Sequence, residues 1–540
     1  MALTYPDVWE AIADTIPDEP AVIQGDRTVA WGEFDERSAR LAAAFDEAGI
    51  GLDSKVGMFL YNCPEYLETQ FAAFKVRATP FNVNYRYLDD ELWYLLDNAE
   101  CEALVFHSSL GDRIGRIRER LPRLKLLVEL PDSDDHLDGA RLYEEVIAAY
   151  APADRIARRE DDIYMLYTGG TTGMPKGVMY GMGSFTQFFL NAIAEQGGLP
   201  PFESSEQVAA IVGMMKQGGL LGRGMPCCPL MHGTGVWLGA MVTHLVGGAV
   251  VLMESRHLDV DEVWSVIERH GVTSAVIVGD AFARPMLRAL NDRAETGSAY
   301  DTSSLERIVS SGAMFSTEVK QGLLGHMPHV AIQDVLGSTE GGMGQNVAVA
   351  DADTADTAKF ELTPGVKVFD EDDNEIVPGS GDLGMVASTS ANVPLGYYKD
   401  EEKTARTFRE IGGVRYTFHG DMATVEDDGS ITLLGRGSNS INTGGEKVFP
   451  EEVEEAVKTH PAVHDCLVFG VPDERFGERV VGVASLEPDG DIDAEGLIEH
   501  TKQRLSHFKA PRQLVFVETV PRAPNGKADY STARDMMDVG

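Results

Sequence analysis

The segment Ile163-Tyr164-Met165-Leu166-Tyr167-Thr168-Gly169-Gly170-Thr171-Thr172-Gly173-Met174-Pro175-Lys176-Gly177-Val178 decides how this chain is read. Its opening residues form a strand-like apolar run. A string of glycines and threonines follows, closed by Lys176. Glycines let backbone N–H groups approach phosphate oxygens closely. Thr168, Thr171 and Thr172 add hydroxyl donors beside Gly169 and Gly170, and Lys176 adds charge. The segment is not a Walker A loop, which needs Gly-x4-Gly-Lys-Ser/Thr. A flexible surface loop is the plainer alternative, but it does not account for so ordered a glycine–threonine string.

Around this segment helical and strand signals alternate. Trp31 to Ile50 and Pro64 to Ala78 have helical spacing, and Lys55 to Asn62 reads as a buried strand. Cys101 to His107, Lys125 to Leu130, Ala249 to Met253, Ser274 to Val278 and Arg307 to Ser310 are short apolar runs beside helical stretches. Such alternation predicts an α/β fold with largely parallel sheets flanked by helices. The character changes after Ile411, where Gly412-Gly413 and the hairpin-like Glu426-Asp427-Asp428-Gly429-Ser430 punctuate short strands. Beyond Arg436 a helix opens at Pro450 with acidic residues behind it. Two strands, a helix and another strand follow, enough for a small α+β domain of roughly 100 residues. The expected division is 1–435 and 436–540.

The bulk numbers agree with two domains, because 540 residues exceed one core. Forty-six basic against 86 acidic residues leave a net charge of −40. Such a field repels phosphate backbones and anionic lipid heads, so no nucleic-acid partner is expected. Cations for any anionic ligand must then be concentrated locally. The five cysteines are odd in number and irregularly spaced, which argues against a disulfide framework. Cys227, Cys228 and His232 lack the spacing of a zinc site. Residues 1–7 have neither a basic nor an apolar signal region. Gly224 to Met253 is free of Asp, Glu, Lys and Arg, but Gly247-Gly248 break it into a helix, a turn and a strand. A cytoplasmic protein without a transmembrane segment is expected.

More segments carry chemistry. Pro229-Leu230-Met231-His232-Gly233-Thr234-Gly235 places a histidine in an apolar setting. Ser310-Ser311-Gly312-Ala313-Met314 ends a predicted strand, and Gly337-Ser338-Thr339-Glu340-Gly341 sets an acid in a glycine turn. His419-Gly420-Asp421 and the run Gly435 to Pro450 follow, the latter holding Arg436, Ser438, Asn439, Gly444, Gly445 and Glu446. Pro521-Arg522-Ala523-Pro524-Asn525-Gly526-Lys527 presents Lys527 just after an Asn-Gly turn.

Taken in order, these segments resemble the signatures of the adenylate-forming superfamily, which includes acyl-CoA synthetases, peptide-synthetase adenylation domains and luciferases. The resemblance covers nearly the whole chain. Gly-Arg-Gly-Ser at Gly435 followed by Ile-Asn-Thr-Gly-Gly-Glu-Lys-Val at Ile441 is similar to a bacterial subgroup that activates long-chain or sterol side-chain acids. The resemblance implies a large N-terminal domain with a distorted β-barrel-like subdomain and a small mobile C-terminal domain. It implies ATP, Mg²⁺, coenzyme A and a small-molecule carboxylic acid as ligands, and homodimers as a common assembly.

The resemblance also implies roles. Thr168, Gly169, Gly170, Thr171, Thr172 and Lys176 would cradle phosphates. Ser311, Gly312 and Ala313 would border adenine and the acyl group, with Gly337, Ser338 and Thr339 nearby. Glu340 and Thr168 would face Mg²⁺, since a carboxylate beside phosphates needs a cation between them. Asp421 would accept the ribose hydroxyls, and Arg436 would contact ribose or phosphate. His232 would gate the acyl pocket. Gly444 and Gly445 would edge the thiol channel, and Lys527 would enter the site for adenylation. Ser438 or Asn439 would serve as the hinge. Two departures stand out: Leu336 replaces the usual aromatic near adenine, and His419 replaces a hydroxyl residue, which is expected to matter little. Met214, Met215 and Met225 suit a large, irregular acyl pocket as well as ordinary core filling.

The implied reaction joins a carboxylate, ATP and coenzyme A into acyl-CoA, AMP and pyrophosphate through an acyl-adenylate. No general base is needed, because the carboxylate is already ionised. An acyl-AMP ligase serving a carrier protein is the main alternative, and CoA dependence separates the two. A degenerate nucleotide-binding protein is the other, and Lys176, Glu340, Asp421, Arg436 and Lys527 argue against it.

Overall fold

The structure is a computed structural model. It describes residues 3–537 except 171–172, 351, 353–356, 390–392, 444–445, 474–476 and 524–525. Thr171, Thr172, Gly444 and Gly445 therefore lie outside the described residues.

The largest sheet has a parallel half. Arg223–Pro226, Ala249–Leu252, Ser274–Ile277, Arg307–Ser311 and Ala331–Ser338 pair in parallel. The inner strands are buried on both faces, as in Ala249–Leu252 where every residue is buried. Helices cover the faces. Val260–His270, for example, starts where the Asp259 side chain accepts from the N–H groups of Asp261 and Glu262, and ends at left-handed Gly271. A second sheet runs Thr79–Asn82, Lys55–Phe59, Cys101–His107, Leu126–Leu130, Arg141–Leu142, all parallel.

At Ser338 the large sheet turns antiparallel. Gly341–Ala348 folds back on Ala331–Ser338, and the sheet continues through Lys359–Leu362, Ile431–Arg436, Val414–Val425, Gly384–Ser388 and Val366–Phe369. This corrects the barrel-like subdomain. The described strands extend the main sheet and do not close on themselves, because Val366–Phe369 ends the strand order. The extension brings Asp421 opposite Arg436 across one strand pair.

The last sheet uses only strands from Ile441 onward: Ile441–Thr443, Glu446–Val448, Val463–Asp473, Gly477–Leu486 and Gln513–Phe516. Pro450–Lys458 opens with proline in its first turn and packs Val453 and Val457 onto that sheet. Contacts among the described residues join this unit to the large one, two of them away from the main cavity. Arg288, in the helix Gly279–Thr296, bonds Glu487 and lies 3.1 Å from His464 Nδ1. Glu451 sits under Gly435: a Cβ on Gly435 would lie 2.2 Å from Glu451 Oε2. No helix among the described residues is long and apolar enough to cross a membrane. All five cysteines are buried thiols.

Candidate active site

The glycine–threonine segment is a hairpin. Its first strand, Ile163–Gly170, extends through Thr168, and Gly173–Gly181 returns with Lys176 opposite Thr168. The loop read from sequence is thus mostly strand, because Leu166 and Val178 belong to the core. Thr168 lines the main cavity, of about 960 Å³. Lys176 does not line it: Nζ donates to Asp400 Oδ2 at 2.6 Å and stands 5.9 Å from the Tyr397 ring centre.

Tyr397 carries the next contact, donating its phenol to Glu340 Oε1 at 2.7 Å. Tyr180 donates to the carbonyl of Thr339, and Glu340 N–H to Ser338 Oγ at 3.1 Å. The turn 337–340 is held from both sides, with Gly337, Ser338 and Thr339 on the cavity wall. Burial pushes the Glu340 carboxyl up, but the Tyr397 and Ser338 hydrogen bonds and nearby positive charge hold it below its ordinary value. Leu336 packs away from the cavity, against a small apolar cluster with Met343 and Phe360.

Asp421 is buried, and its Oδ2 has no hydrogen-bond partner within the protein. Its other oxygen lies 3.6 Å from Arg436 Nε. Burial raises the Asp421 carboxyl, Arg436 pulls it down and Glu340 adds to the rise. An orphaned carboxylate oxygen of this kind suits paired hydroxyl donors from a ligand. His419, two residues earlier, has both ring nitrogens engaged: Nδ1 with Ser338 Oγ at 2.9 Å and Nε2 with Ser388 Oγ at 2.7 Å. Burial, opposed by Glu340 and reinforced by Arg436, brings its pKa to about 4. His419 thus bridges two strands at the site, a contact that the sequence reading did not anticipate.

Lys527 reaches in from the small unit. Its Cε would lie 3.7 Å from a Cβ on Gly312, a residue at φ +95°. Burial and Arg436 lower its pKa, while Glu340 and Asp421 pull it up. It keeps accessible surface, and that surface belongs to the cavity wall. The loop before it is braced. Arg522 makes two bonds to Asp465, at 2.6 and 2.7 Å, and a third to the Gly526 carbonyl at 3.0 Å. Ala523 N–H donates to the Lys527 carbonyl at 2.8 Å. A Cβ at Gly526 would stand 3.0 Å from Ala281 Cβ, so glycine permits this docking.

His232 lines the same cavity, and its Nε2 has no partner within the protein. Burial, helped by Lys527, lowers its pKa to about 3, which keeps the ring neutral. Thr234–Met241 after it is a π-helix, a form often found at functional sites. It presents Trp237 to the cavity, packed edge to face on Phe185, whose helix Met182–Gln196 also brings Phe188 and Phe189 to the wall. Of the two readings of the methionines, the pocket-lining one is not met, and core filling holds for Met225. Met225 is core, Met214 is exposed, and none of the three named methionines lines the cavity. Ser311 and Gly312 line it; Ala313 lies beside them without reaching the wall. A second cavity, of about 340 Å³, shares Cys228 with the first and is walled by Arg86 and Arg256.

The hinge candidate Asn439 lines the main cavity, and residues 437–439 form a single 3₁₀ turn. Among the described residues no three His, Cys, Asp or Glu side chains converge on a metal position. That suits Mg²⁺, which usually takes one or two carboxylates plus substrate phosphates. Tyr397, Tyr180, Asp400 and Ser388 escaped the sequence reading, since each joins the site only through space.

Fold and site together are those of an adenylate-forming enzyme. The AMP-binding enzyme family model matches residues 9–398, and its C-terminal domain model matches 452–527. The chain belongs to the AMP-binding enzyme family. It is 41% identical to a 3-oxocholest-4-en-26-oate–CoA ligase of Rhodococcus rhodochrous, over 99% of this chain and 96% of that one. It is 38% identical to a medium/long-chain-fatty-acid–CoA/3-oxocholest-4-en-26-oate–CoA ligase of Mycolicibacterium smegmatis, over 99% and 97%. It is also 39% identical to the medium-chain acyl-CoA ligase Mig of Mycobacterium avium, over 99% and 98%. The fold matches ATP-bound MatB of Rhodopseudomonas palustris with TM-score 0.80 at 23% identity, covering 100% of both chains. It matches an anthranilate CoA ligase holding anthranoyl-AMP with TM-score 0.81 at 22% identity, over 99% and 97%.

Proposed function

We propose that the protein is an AMP-forming acyl-CoA ligase for medium- to long-chain fatty acids or sterol side-chain acids. The observation that carries this is the placing of Lys527, Gly312 and His232 on one wall of a cavity with aromatic lining, with the charges of Arg436, Glu340 and Asp421 close enough to act on Lys527. The acid lies against the wall made by Phe185, Phe188, Phe189 and Trp237, with its carboxylate toward Lys527. ATP lies along Thr168, the 337–340 turn and Asp421, whose unpaired oxygen takes the ribose. The carboxylate attacks the α-phosphorus, and Lys527 and Arg436 offset the charge that grows on the phosphoryl oxygens. Neutral His232 borders the acyl group without adding charge there. Glu340 and Thr168 would hold Mg²⁺, which when bound neutralises phosphate charge.

In the second half-reaction the thiol of coenzyme A attacks the acyl carbon and AMP departs. The small domain, taken as 436–540, turns about 437–439 and withdraws Lys527, which would otherwise stay in the site. Arg86 and Arg256 at the second cavity offer cations for the coenzyme's phosphates, in a chain whose net charge is −40.

The test is to incubate the purified protein with ATP, Mg²⁺, coenzyme A and acids from acetate through long-chain and aryl to sterol side-chain acids, reading products by mass spectrometry. Acyl-CoA from the large apolar acids is expected. Acyl-AMP and pyrophosphate without acyl-CoA would move the acceptor to a carrier protein, and products from acetate or aryl acids alone would overturn the substrate class.

A further inference from the structure

The turn that carries Thr339 and Glu340 is poorly equipped to hold its own shape. Four of the eight residues from 337 to 344 are glycine, and glycine gives the backbone its greatest freedom. The strand pairing also slips there, with a register shift between Leu336 and Gly337. A turn of this composition needs a brace from elsewhere if Glu340 is to stand in one place.

His419 supplies one. Its ring sits between Ser338 Oγ and Ser388 Oγ, at 2.9 and 2.7 Å. Ser338 Oγ in turn accepts from Glu340 N–H at 3.1 Å. The result is a chain of hydrogen bonds from Ser388, through the imidazole, to the backbone of Glu340. The fit is close: a Cβ on Gly341 would lie 3.2 Å from Ser388 Oγ and 3.3 Å from His419 Cε1, so Gly341 must stay bare for the ring to pack. A hydroxyl side chain at 419 is too short to reach both serines; the ring has a polar atom for each.

We propose that His419 is a positioning residue for the adenylation step, tying the 337–340 turn to the strand Gly384–Ser388 and so setting where Thr339 and Glu340 meet the nucleotide. The ring touches neither substrate; it acts through Ser338. The role rests on the reading of Thr339 and Glu340 as the nucleotide edge. Wild-type protein that forms no acyl-adenylate from any acid would remove that reading, whereas the variants below test His419 alone.

The experiment compares the two half-reactions in His419→Ala, His419→Asn and Ser388→Ala. Pyrophosphate release yields the KM for ATP and for the acid, acyl transfer from chemically prepared acyl-adenylate reports the second step, and thermal melts report folding. His419→Ala is expected to raise the KM for ATP about tenfold, the size of one lost hydrogen bond to a site held by charge, with the acid KM and acyl transfer within about twofold. His419→Asn, whose amide still reaches Ser338, should recover most of the loss, and Ser388→Ala should raise the KM for ATP by less. If His419→Ala does not fold, Ser388→Ala decides, since the ring remains. An unchanged KM for ATP, or an equal loss in both half-reactions that Asn does not repair, overturns the proposal.

Discussion

The phenol of Tyr397 donates to Glu340 Oε1 at 2.7 Å across 57 residues of chain. It is first among the contacts that keep an enclosed carboxylate ionised despite the burial that opposes it. Tyr397→Phe removes that donor and little volume. A bond to a charged acceptor contributes about 1.5–3 kcal/mol, so kcat/KM for ATP should fall at least about tenfold and the Mg²⁺ requirement should rise. Acyl transfer from prepared acyl-adenylate should hold. A Mg²⁺ titration that superimposes on wild type would remove Tyr397 from the site.

Lys527 separates the half-reactions more sharply. In the proposed mechanism Lys527→Ala deletes the cation that offsets developing charge, and groups of this kind typically contribute a factor of ~100 or more. Acyl-adenylate formation should drop by at least that much, while prepared acyl-adenylate should still react with coenzyme A. Equal losses in both steps would place Lys527 in the scaffold instead.

Acid should loosen the fold through its histidines. Burial is the main cause that lowers His107, His244 and His419 to about 4 and His232 to about 3. The ordinary value is about 6.5. The unfolded chain therefore binds these protons first, and the stability present above pH ~6.5 is lost as pH falls toward 4. His244 bonds the Ala21 carbonyl at 3.0 Å among Trp9, Trp31 and Phe34. His244→Gln can keep that bond without titrating, so its Tm should fall less steeply between pH 6.5 and 4.5. A parallel slope would assign the acid sensitivity to other groups.

Gly435 should tolerate no side chain. It holds φ +120° and a Cβ would lie 2.2 Å from Glu451 Oε2. Backbone strain of this sort costs about 1–3 kcal/mol, and the collision adds to it. Gly435→Ala should slow acyl-adenylate formation by roughly tenfold or more, and adding Glu451→Ala should restore part of the rate. Failure of the second change to help would mean that the strain alone is responsible.

Much of this architecture is legible in the sequence because local patterns carry it. Buried runs such as Ala249–Leu252 announce parallel strands, and Pro450 with its acidic followers announces a helix. The segments around Thr168, Glu340, Asp421 and Lys527 are contiguous and can be read where they stand. What escapes is held through space. No local pattern joins Tyr397 to Glu340, Asp400 to Lys176, or Ser388 to His419. The aromatic wall escaped for another reason: Phe185, Phe188 and Phe189 have ordinary helical spacing, and only the packing of Trp237 on Phe185 makes that face a pocket. The methionines stayed open between pocket and core because side-chain flexibility says nothing about which way a side chain points.

Glu451 is seated beneath Gly435. Burial, with the charges of Glu454 and Asp421, raises its carboxyl to about 8 against the backbone N–H of Arg436, and Tyr530 stands in the same enclosure. With Lys527 in the cavity, this enclosure favours the protonated acid. A turn about 437–439 that withdrew Lys527 would lift Glu451 into water, where a carboxyl gives up its proton near 4.3. Opening would then favour loss of the proton and closing its return. The ratio of the two arrangements would tilt toward closure in acid and toward opening in base, making ambient pH a third party to the alternation beside the nucleotide and the thiol.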